Sequence, residues 1–426
     1  MQTARWKGLA VFVAATAMLA GACSSSDGAD NSADSTPKSG NRGNVNDELV
    51  LGTLVPQSGD LNVIVKSLAT PINMAVEEIN AAGGVLGKDV KVVQGDDGTS
   101  PDVAKTTYNK LINSDKVDAI IGPAPSGVAA KLADTFETDK VPACSGSTTA
   151  GNLTGVGGGY FFRTAPPDKL QGPALADLIT GDNHGNVAII ARNDDYGKGF
   201  ADFLSKALTG SGAAVAATVL YDPDGSNFDA DVQKVADAKP DAVAVIGFND
   251  DGAKVINAMI AKGIGPSAMP IYTADGMKSS SFAKTVDPSD LSKVAGIKGT
   301  APAAAPAGIE SPFLAKFAQT GIDTIFSSYF YDCTILMALA AQSAGSDSGE
   351  AIAKAFSTNL EGDNVCNTYA QCLGFLKEKK TIHYHGASSE FQKWDGMEPG
   401  TGVYDVWEYT KTGEDKTLDV PQINVS

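Results

Sequence analysis

Two runs decide the fold: Val117-Asp118-Ala119-Ile120-Ile121-Gly122 and Pro240-Asp241-Ala242-Val243-Ala244-Val245-Ile246-Gly247. Each follows a helical pattern, stays apolar after its Asp and ends in Gly. A short, continuous apolar run suits a strand buried on both faces, as in a parallel sheet. The two runs look like equivalent strands of two similar units. That is a duplication of architecture and not a short solenoid repeat.

The surroundings of each run follow the same grammar. Leu49 to Leu54 reads as a strand. Ile64 to Ala82 reads as a helix with Leu68, Ile72, Ala75, Val76 and Ile79 at helical spacing, stopped by Gly83-Gly84. Asp89 to Val93 is an expected strand. Pro101 to Ser114 is an expected helix, with Ser100 as its N-cap. Ser126 to Thr138 is helical, and Val141 to Cys144 begins a strand. In the second unit, strands are expected at Asn186 to Ala191, Ala214 to Tyr221 and Met269 to Thr273. Helices are expected at Gly197 to Gly210, Phe228 to Ala238 and Ala253 to Lys262. The βαβα order predicts an α/β fold of two doubly wound, Rossmann-like units with parallel sheets covered on both faces. Beyond them, Ala301 to Gly308 reads as a crossover. Ser311 to Thr320, Ser327 to Ala344 and Glu350 to Leu360 read as helices, and strands are expected near Thr381 to Tyr384 and Gly402 to Tyr409.

The first residues have a different character. Arg5 and Lys7 precede an apolar stretch from Leu9 to Leu19, and Leu19-Ala20-Gly21-Ala22-Cys23 closes it. This layout predicts a signal peptide over 1–22, too short for a transmembrane helix. The cysteine after small residues resembles the lipobox of bacterial lipoproteins, which implies a lipid anchor on Cys23. Ala20 departs from the Leu usual in that motif, and cleavage of an ordinary secretory signal near Ala22 is the alternative. Residues 23–47 are nearly free of apolar side chains and read as a flexible tether.

Composition narrows the function classes. The chain of 426 residues has 33 basic and 50 acidic residues, a net charge of −17. Loss of Arg5 and Lys7 with the signal takes this to −19. Such acidity argues against nucleic-acid binding. Outside the cytoplasm Cys144, Cys333, Cys366 and Cys372 are free to form disulfides. Cys366 and Cys372 are expected to close a small loop in a polar stretch, while Cys144 and Cys333 are either buried thiols or a second bridge.

Enzymatic motifs are sparse. There is no Gly-x-Ser-x-Gly elbow, and Gly157-Gly158-Gly159 lacks the Lys-Ser/Thr of a P-loop. His383-Tyr384-His385 places two imidazoles on one face of a strand, half of a metal site without further ligands at suitable spacing. No catalytic residue, metal or cofactor is expected. Loops that leave strands are better candidates. Gly122-Pro123-Ala124-Pro125-Ser126-Gly127-Val128 opens a helix whose free N–H groups and dipole favour an anion, although Ser126 at the N-cap position also suits a simple capping role. Val141-Pro142-Ala143-Cys144-Ser145-Gly146-Ser147-Thr148-Thr149-Ala150 leaves a second strand toward the same crevice, or is only a polar turn.

At these residues the chain resembles periplasmic binding proteins of the branched-chain amino acid type, the type I fold. The resemblance rests on Glu77 to Gly87, Asp96-Asp97, Asp118 to Pro123, Val141-Pro142 with its Ser/Thr loop, Tyr160-Phe161-Phe162-Arg163-Thr164, Asn193 to Gly199 and Tyr331-Asp332, in that order. It implies two lobes joined by a three-crossover hinge: 48–166 plus 301–383, and 167–300 plus 384–426. It also implies a binding protein and not an enzyme, capturing a small amino acid or related carboxylate or amide for an ABC permease and ATPase. The expected location is outside the cytoplasm, at the bacterial membrane through lipidated Cys23.

Residue by residue, the resemblance implies that Ser126 and Thr149 hold a ligand carboxylate. The Ser147 carbonyl and Asp275 would take an ammonium. Tyr196 and Phe248 would cover the ligand, and Tyr331, with Asp332 beside it, would border the pocket at the hinge. Asp275 replaces the family's usual Glu, and Pro56 to Leu61 lacks the aromatic residue common after the first strand. These departures leave an amide, a urea-like molecule or an aromatic acid as alternative ligands. A ligand-sensing receptor domain of the same fold is the alternative role, and a secreted hydrolase a more distant one.

Overall fold

The computed structural model describes residues 45–426. The expected signal segment 1–22, Cys23 and the tether as far as residue 44 lie outside the described residues. β1 (Val50–Thr53), β2 (Lys91–Val93), β3 (Ala119–Ile121), β4 (Ala143–Ser145) and β5 (Phe161–Arg163) form a parallel sheet in the order β2-β1-β3-β4-β5. α1 (Val65–Ala81), α2 (Pro101–Asn113) and α3 (Ser126–Asp139) provide the crossovers. The apolar run at β3 is buried throughout because β1 and β4 flank it and helices cover its faces. Gly122 ends it with φ +122°, and a Cβ there would stand 2.1 Å from the Leu54 carbonyl oxygen, so only glycine fits.

The second unit comprises α4 (Asp168–Gly181), β6 (Asn186–Arg192), α5 (Asp195–Gly210), β7 (Ala214–Tyr221), α6 (Asp229–Asp237), β8 (Ala242–Ile246), α7 (Asn249–Ala261), β9 (Ile271–Thr273), α8 (Phe282–Val286) and β10 (Lys298–Pro302). Its parallel strands run β7-β6-β8-β9-β10, the order of the first sheet again. β3 and β8 thus hold the same central place in their sheets.

The chain then returns to the first sheet with α9 (Pro312–Ala318), α10 (Ser327–Ala344), α11 (Gly349–Phe356), β11 (Asn364–Cys366), α12 (Tyr369–Lys377) and β12 (Ile382–Tyr384). α10 is buried from Ser327 to Ala341 and packs on α1, β3 and β4. A helix enclosed on all sides has no solvent-facing polar side, which is why it shows no stripe. β13 (Gly402–Tyr409) joins β10 antiparallel and carries β14 (Asp415–Thr417) and β15 (Ile423–Val425) on its outer side. The chain therefore passes between the two units three times: between β5 and α4, between β10 and α10, and between β12 and β13.

Side chains fix these passages. Asp332 on α10 accepts from Tyr384 Oη (2.7 Å), Ala387 N–H (2.9 Å), Ser388 N–H (2.7 Å) and Ser388 Oγ, so it holds the start of the third crossover. Burial raises its pKa to about 6, against the pull of these donors. Arg163 at the end of β5 forms a buried ion pair with Glu398 in the third crossover, and Lys169 reaches the same carboxylate at 2.9 Å. Asn46, near the end of the expected tether, is already tied down: its N–H donates to Asp347 at 2.8 Å.

Both disulfides form. Cys144 on β4 bridges Cys333 on α10 with Cα atoms 5.6 Å apart, and Cys366 bridges Cys372 at 5.2 Å. The second bridge does not sit in a loop, as the sequence suggested. Cys366 ends β11, and Thr368 caps α12 by accepting from Gln371 N–H, so the bridge staples a strand to the first turn of a helix. The Cys144–Cys333 bridge closes a loop with a sequence separation of 189. Replacing both cysteines by alanine should cost about 2–4 kcal/mol of stability, read as a lower denaturant midpoint. An unchanged midpoint would show that the bridge adds nothing. Among the described residues, no helix is long and apolar enough to cross a membrane.

Candidate functional site

Loops from the carboxyl ends of β1, β3 and β4 face loops from β6, β8 and β9 across a narrow cavity of about 30 Å³. This is where open α/β sheets place ligands. One wall carries Leu61, Val63, Ile64, Ala124, Pro125, Ser126, Ser147 and Thr149, and the facing wall carries Tyr196, Phe248, Asn249, Asp275, Gly276, Lys278 and Ser279. Phe326 from the start of α10 closes one side. The structure thus brings together Ser126, Ser147, Thr149, Tyr196, Phe248 and Asp275. A larger groove of about 280 Å³ lies beside the crossovers, lined by Pro166, Pro306, Tyr329, Glu390 and Phe391 among others. It is lined by none of the site residues expected from the sequence, so size does not select it.

Tyr331 is not in the cavity. Its hydroxyl donates to Glu78 at 2.5 Å and its ring stacks on Phe313, because this side of α10 turns toward α1. Asp332 next to it serves the third crossover. Ser126 also differs from the expectation. The N-cap of α3 is Pro125, in an extended conformation, and Ser126 is the first helical residue. Its Oγ accepts from Thr149 N–H at 3.2 Å and from Ala150 N–H at 3.3 Å. The hydroxyl therefore links two loops and does not cap its own helix. Ser147 Oγ donates to the Ala124 carbonyl at 3.0 Å, a second tie between the same loops. Asp97 supports them from behind by accepting from Ala124 N–H at 3.1 Å, and burial raises its pKa to about 7.

The facing wall is aromatic and acidic. Tyr196 stacks on Phe248 with centroids 5.4 Å apart. The Arg192 guanidinium lies 3.6 Å over the other ring, Phe248, and is held by Asp194 (2.6 Å) and Asp251 (2.9 Å). Asp251 in turn accepts from Phe248 N–H at 2.7 Å, so ring and cation share one support. A Cβ on Gly276 would fall 2.5 Å from the Gly247 carbonyl oxygen and 3.0 Å from the Phe248 ring, so this close packing requires glycine. Asp275 accepts from Tyr196 Oη at 3.3 Å and is 6% exposed. Burial raises its pKa to about 6, with hydrogen bonds from Gln171 and Tyr196 opposing the rise. One wall thus offers hydroxyls and backbone N–H groups, and the other offers a carboxylate and aromatic rings, together with Lys278, which is paired with Asp415 at 3.3 Å.

Several wall residues escaped the sequence reading. Leu61, Val63 and Ile64 follow β1, where an aromatic was sought, and form an aliphatic surface instead. Phe326 has φ +57°, rare for a bulky residue. The left-handed turn places its ring at the cavity. His383 and His385 lie with ring centroids 4.9 Å apart, and His383 Nε2 is 3.1 Å from the Glu390 carbonyl. Among the described residues no group of three His, Cys, Asp or Glu is placed to hold a metal.

Comparison with known proteins agrees with this architecture. The family model described as periplasmic binding protein matches residues 48–371. The chain is 26% identical over 377 residues to the chemotactic signal transduction system substrate-binding protein BasB of Halobacterium salinarum, covering 86% of this chain and 88% of that one. It is 27% identical over 206 residues to the Leu/Ile/Val-binding protein BraC3 of Rhizobium johnstonii, covering 48% of this chain and 56% of the relative. The fold is similar to that of LivJ, a branched-chain amino acid transporter substrate-binding protein of Streptococcus pneumoniae solved with isoleucine (TM-score 0.70, 22% identity, 88% of this chain and 99% of that one). It is also similar to that of a solute-binding protein of Rhodopseudomonas palustris solved with 4-hydroxybenzoate (TM-score 0.69, 17% identity, 88% and 97%). The chain therefore belongs to the periplasmic binding protein family, has the type I fold of the group that includes the Leu/Ile/Val-binding proteins, and is a binding protein, not an enzyme.

Proposed function

We propose that this protein captures a small amino acid of the branched-chain type, or a related carboxylate or amide, between its two lobes and delivers it to an ABC permease and ATPase. The observation that carries the reading is the polarity of the cavity. Ser126 and Thr149 face Asp275, while Leu61, Val63, Ile64 and Phe326 supply an aliphatic and aromatic surface beside them. A carboxylate suits the first set, an ammonium suits Asp275, and a branched side chain suits the third. A cavity of about 30 Å³ holds about two waters, so an amino acid enters only when the lobes part and then close on it. In this reading the lobes are 48–166 plus 301–383 and 167–300 plus 384–426. Cys23 carries the lipid, and 23–47 tethers the lobes outside the cytoplasm, at the membrane.

Thermal shift against the twenty amino acids, with benzoate and short amides beside them, tests this. At about 100 times Kd a ligand adds about 2.7 kcal/mol, so a branched-chain amino acid should raise Tm clearly. A rise with benzoate alone would replace the amino acid by an aromatic acid. A sensory role is the second reading, favoured by the likeness to BasB, whose name places it in chemotactic signal transduction. Uptake of the labelled ligand by cells lacking this protein separates the two: transport requires that uptake fall.

A further inference from the structure

Asp96-Asp97 stands out in the sequence, yet neither residue lines the cavity. Both lie after the edge strand β2, in its connection to α2. Their carboxylates turn back toward loops that do line it. Asp96 accepts from Gln57 N–H at 2.8 Å, Ser58 N–H at 3.1 Å and Ser58 Oγ at 2.6 Å, so it grips the start of the loop after β1. Asp97 reaches farther. In the strand order β2-β1-β3 it passes the end of β1 and accepts from Ala124 N–H, in the loop after β3, at 3.1 Å. Its other oxygen accepts from Thr99 N–H at 2.9 Å, and Thr99 Oγ1 accepts in turn from Leu61 N–H at 3.1 Å.

These bonds make one path from Ala124 through Asp97 and Thr99 to Leu61. Both ends line the cavity, Ala124 in the loop of Ser126 and Leu61 in the loop of Val63 and Ile64. The path therefore ties the hydroxyl and N–H side of this wall to its aliphatic side. Its centre needs a carboxylate. Asp97 is fully buried and its two donors go to different oxygens, so an amide in its place accepts from only one of them. Burial, and after it the Asp96 charge, disfavours the ionised form, which the two N–H groups favour. Stability alone does not call for a carboxylate here.

We propose that Asp97 is a positioning residue for ligand capture: it holds the loop of Ala124 and Ser126 at a fixed spacing from the loop of Leu61 and Ile64, and so sets the length of side chain that the cavity takes. This rests on the amino-acid reading of the cavity and deepens it. A ligand that meets both loops at once, carboxylate on one and side chain on the other, feels their spacing. A ligand too short to reach the aliphatic loop does not. L-leucine and L-alanine are such a pair.

The test measures both amino acids by calorimetry on the full chain, well below the unfolding midpoint of every variant, where lost stability by itself leaves affinity unchanged. Asp97→Asn should weaken L-leucine by about 10-fold or more and narrow its preference over L-alanine by about fivefold. A folded Asp97→Asn variant with wild-type affinity and preference overturns the proposal. Thr99→Val, which removes only the acceptor of Leu61 N–H, keeps the test open if the first variant does not fold. It should narrow the same preference by about threefold, and an unchanged preference overturns the proposal. A wild-type protein that binds neither amino acid overturns the amino-acid reading alone. Amide hydrogen exchange without ligand then decides the role of Asp97. Faster exchange in Asp97→Asn at both 56–64 and 122–128, with the loops after β6, β8 and β9 unchanged, supports it. Unchanged exchange at either segment overturns it.

Discussion

Asp275→Ala should weaken an amino ligand by about 100-fold or more, because it leaves a buried ammonium without its nearest anion. The fold should persist. Asp275 accepts from Tyr196 at a long 3.3 Å and is eased by Gln171, and its burial penalises the charged form. Equilibrium binding of the amino acid found by thermal shift, with circular dichroism beside it, checks both halves. Unchanged affinity would remove Asp275 from the ligand site. The same residue predicts a pH dependence. With a pKa of about 6 in the ligand-free protein, Asp275 is charged above that pH and neutral below it. Affinity for an ammonium should fall as pH drops through 6. Stability of the free protein moves the opposite way. Its folded pKa lies above the ordinary carboxylate value, so the folded state binds this proton more tightly than the unfolded one. The contribution of Asp275 to stability therefore improves from pH 6 toward 4 while its contribution to binding is lost.

Glu398→Ala should destabilise the protein by about 3–5 kcal/mol, the cost of leaving a buried cation unpaired. Arg163 and Glu398 have side chains 1% and 3% exposed, and Arg163 also donates to the carbonyls of Thr148 (3.3 Å) and Ala150 (2.8 Å). The ion pair thus joins the third crossover to the ligand loop. Burial raises the pKa of Glu398, but Arg163 and Lys169 outweigh it and hold the carboxyl below the usual range. This stabilisation is present at neutral pH and lost as pH falls through the depressed folded value. Denaturant unfolding at pH 7 should show the full loss in the variant. At acid pH the gap to wild type should narrow, because the wild-type carboxylate is then protonated too. A variant within 1 kcal/mol of wild type at pH 7 would show that the pair is not a structural tie. Ligand affinity should fall as well, since Thr148 and Ala150 flank Thr149.

Much of the fold was legible because its strands bury both faces. β3 and β8 read as continuous apolar runs, and their shared place in two sheets of equal order follows from the same pattern. α4 was not legible. Asp168, Leu170, Gln171, Gly172, Ala174, Leu175 and Ala176 are all buried in it, so no polar face alternates with an apolar one, and Pro173 reads as a breaker. The antiparallel strands β14 and β15 are three residues each and half exposed, too short for a period-2 signal. At the site, Ser126, Ser147, Thr149, Tyr196, Phe248 and Asp275 were supplied by the resemblance to periplasmic binding proteins, since the strand-end loops alone suited capping and turn roles equally well. Tyr331 was misplaced because a helix rotates its neighbours by 100° per residue, and no local pattern tells which side of a wholly buried helix meets the cleft. Phe326 depends on a left-handed backbone turn that carries no glycine or asparagine to announce it.

The bond from Thr149 and Ala150 N–H to Ser126 Oγ has a consequence for selectivity. If these N–H groups seat the ligand anion, as proposed, the free protein contains an internal competitor for that seat. An arriving acceptor must outbid a hydroxyl already in position, so its gain is a difference and not the full strength of two new bonds. Charged acceptors form bonds about twice as strong as neutral ones, so a carboxylate wins this exchange while a neutral carbonyl comes close to a draw. In the proposed reading Ser126 would then act as a threshold, turning away weak acceptors before the lobes close.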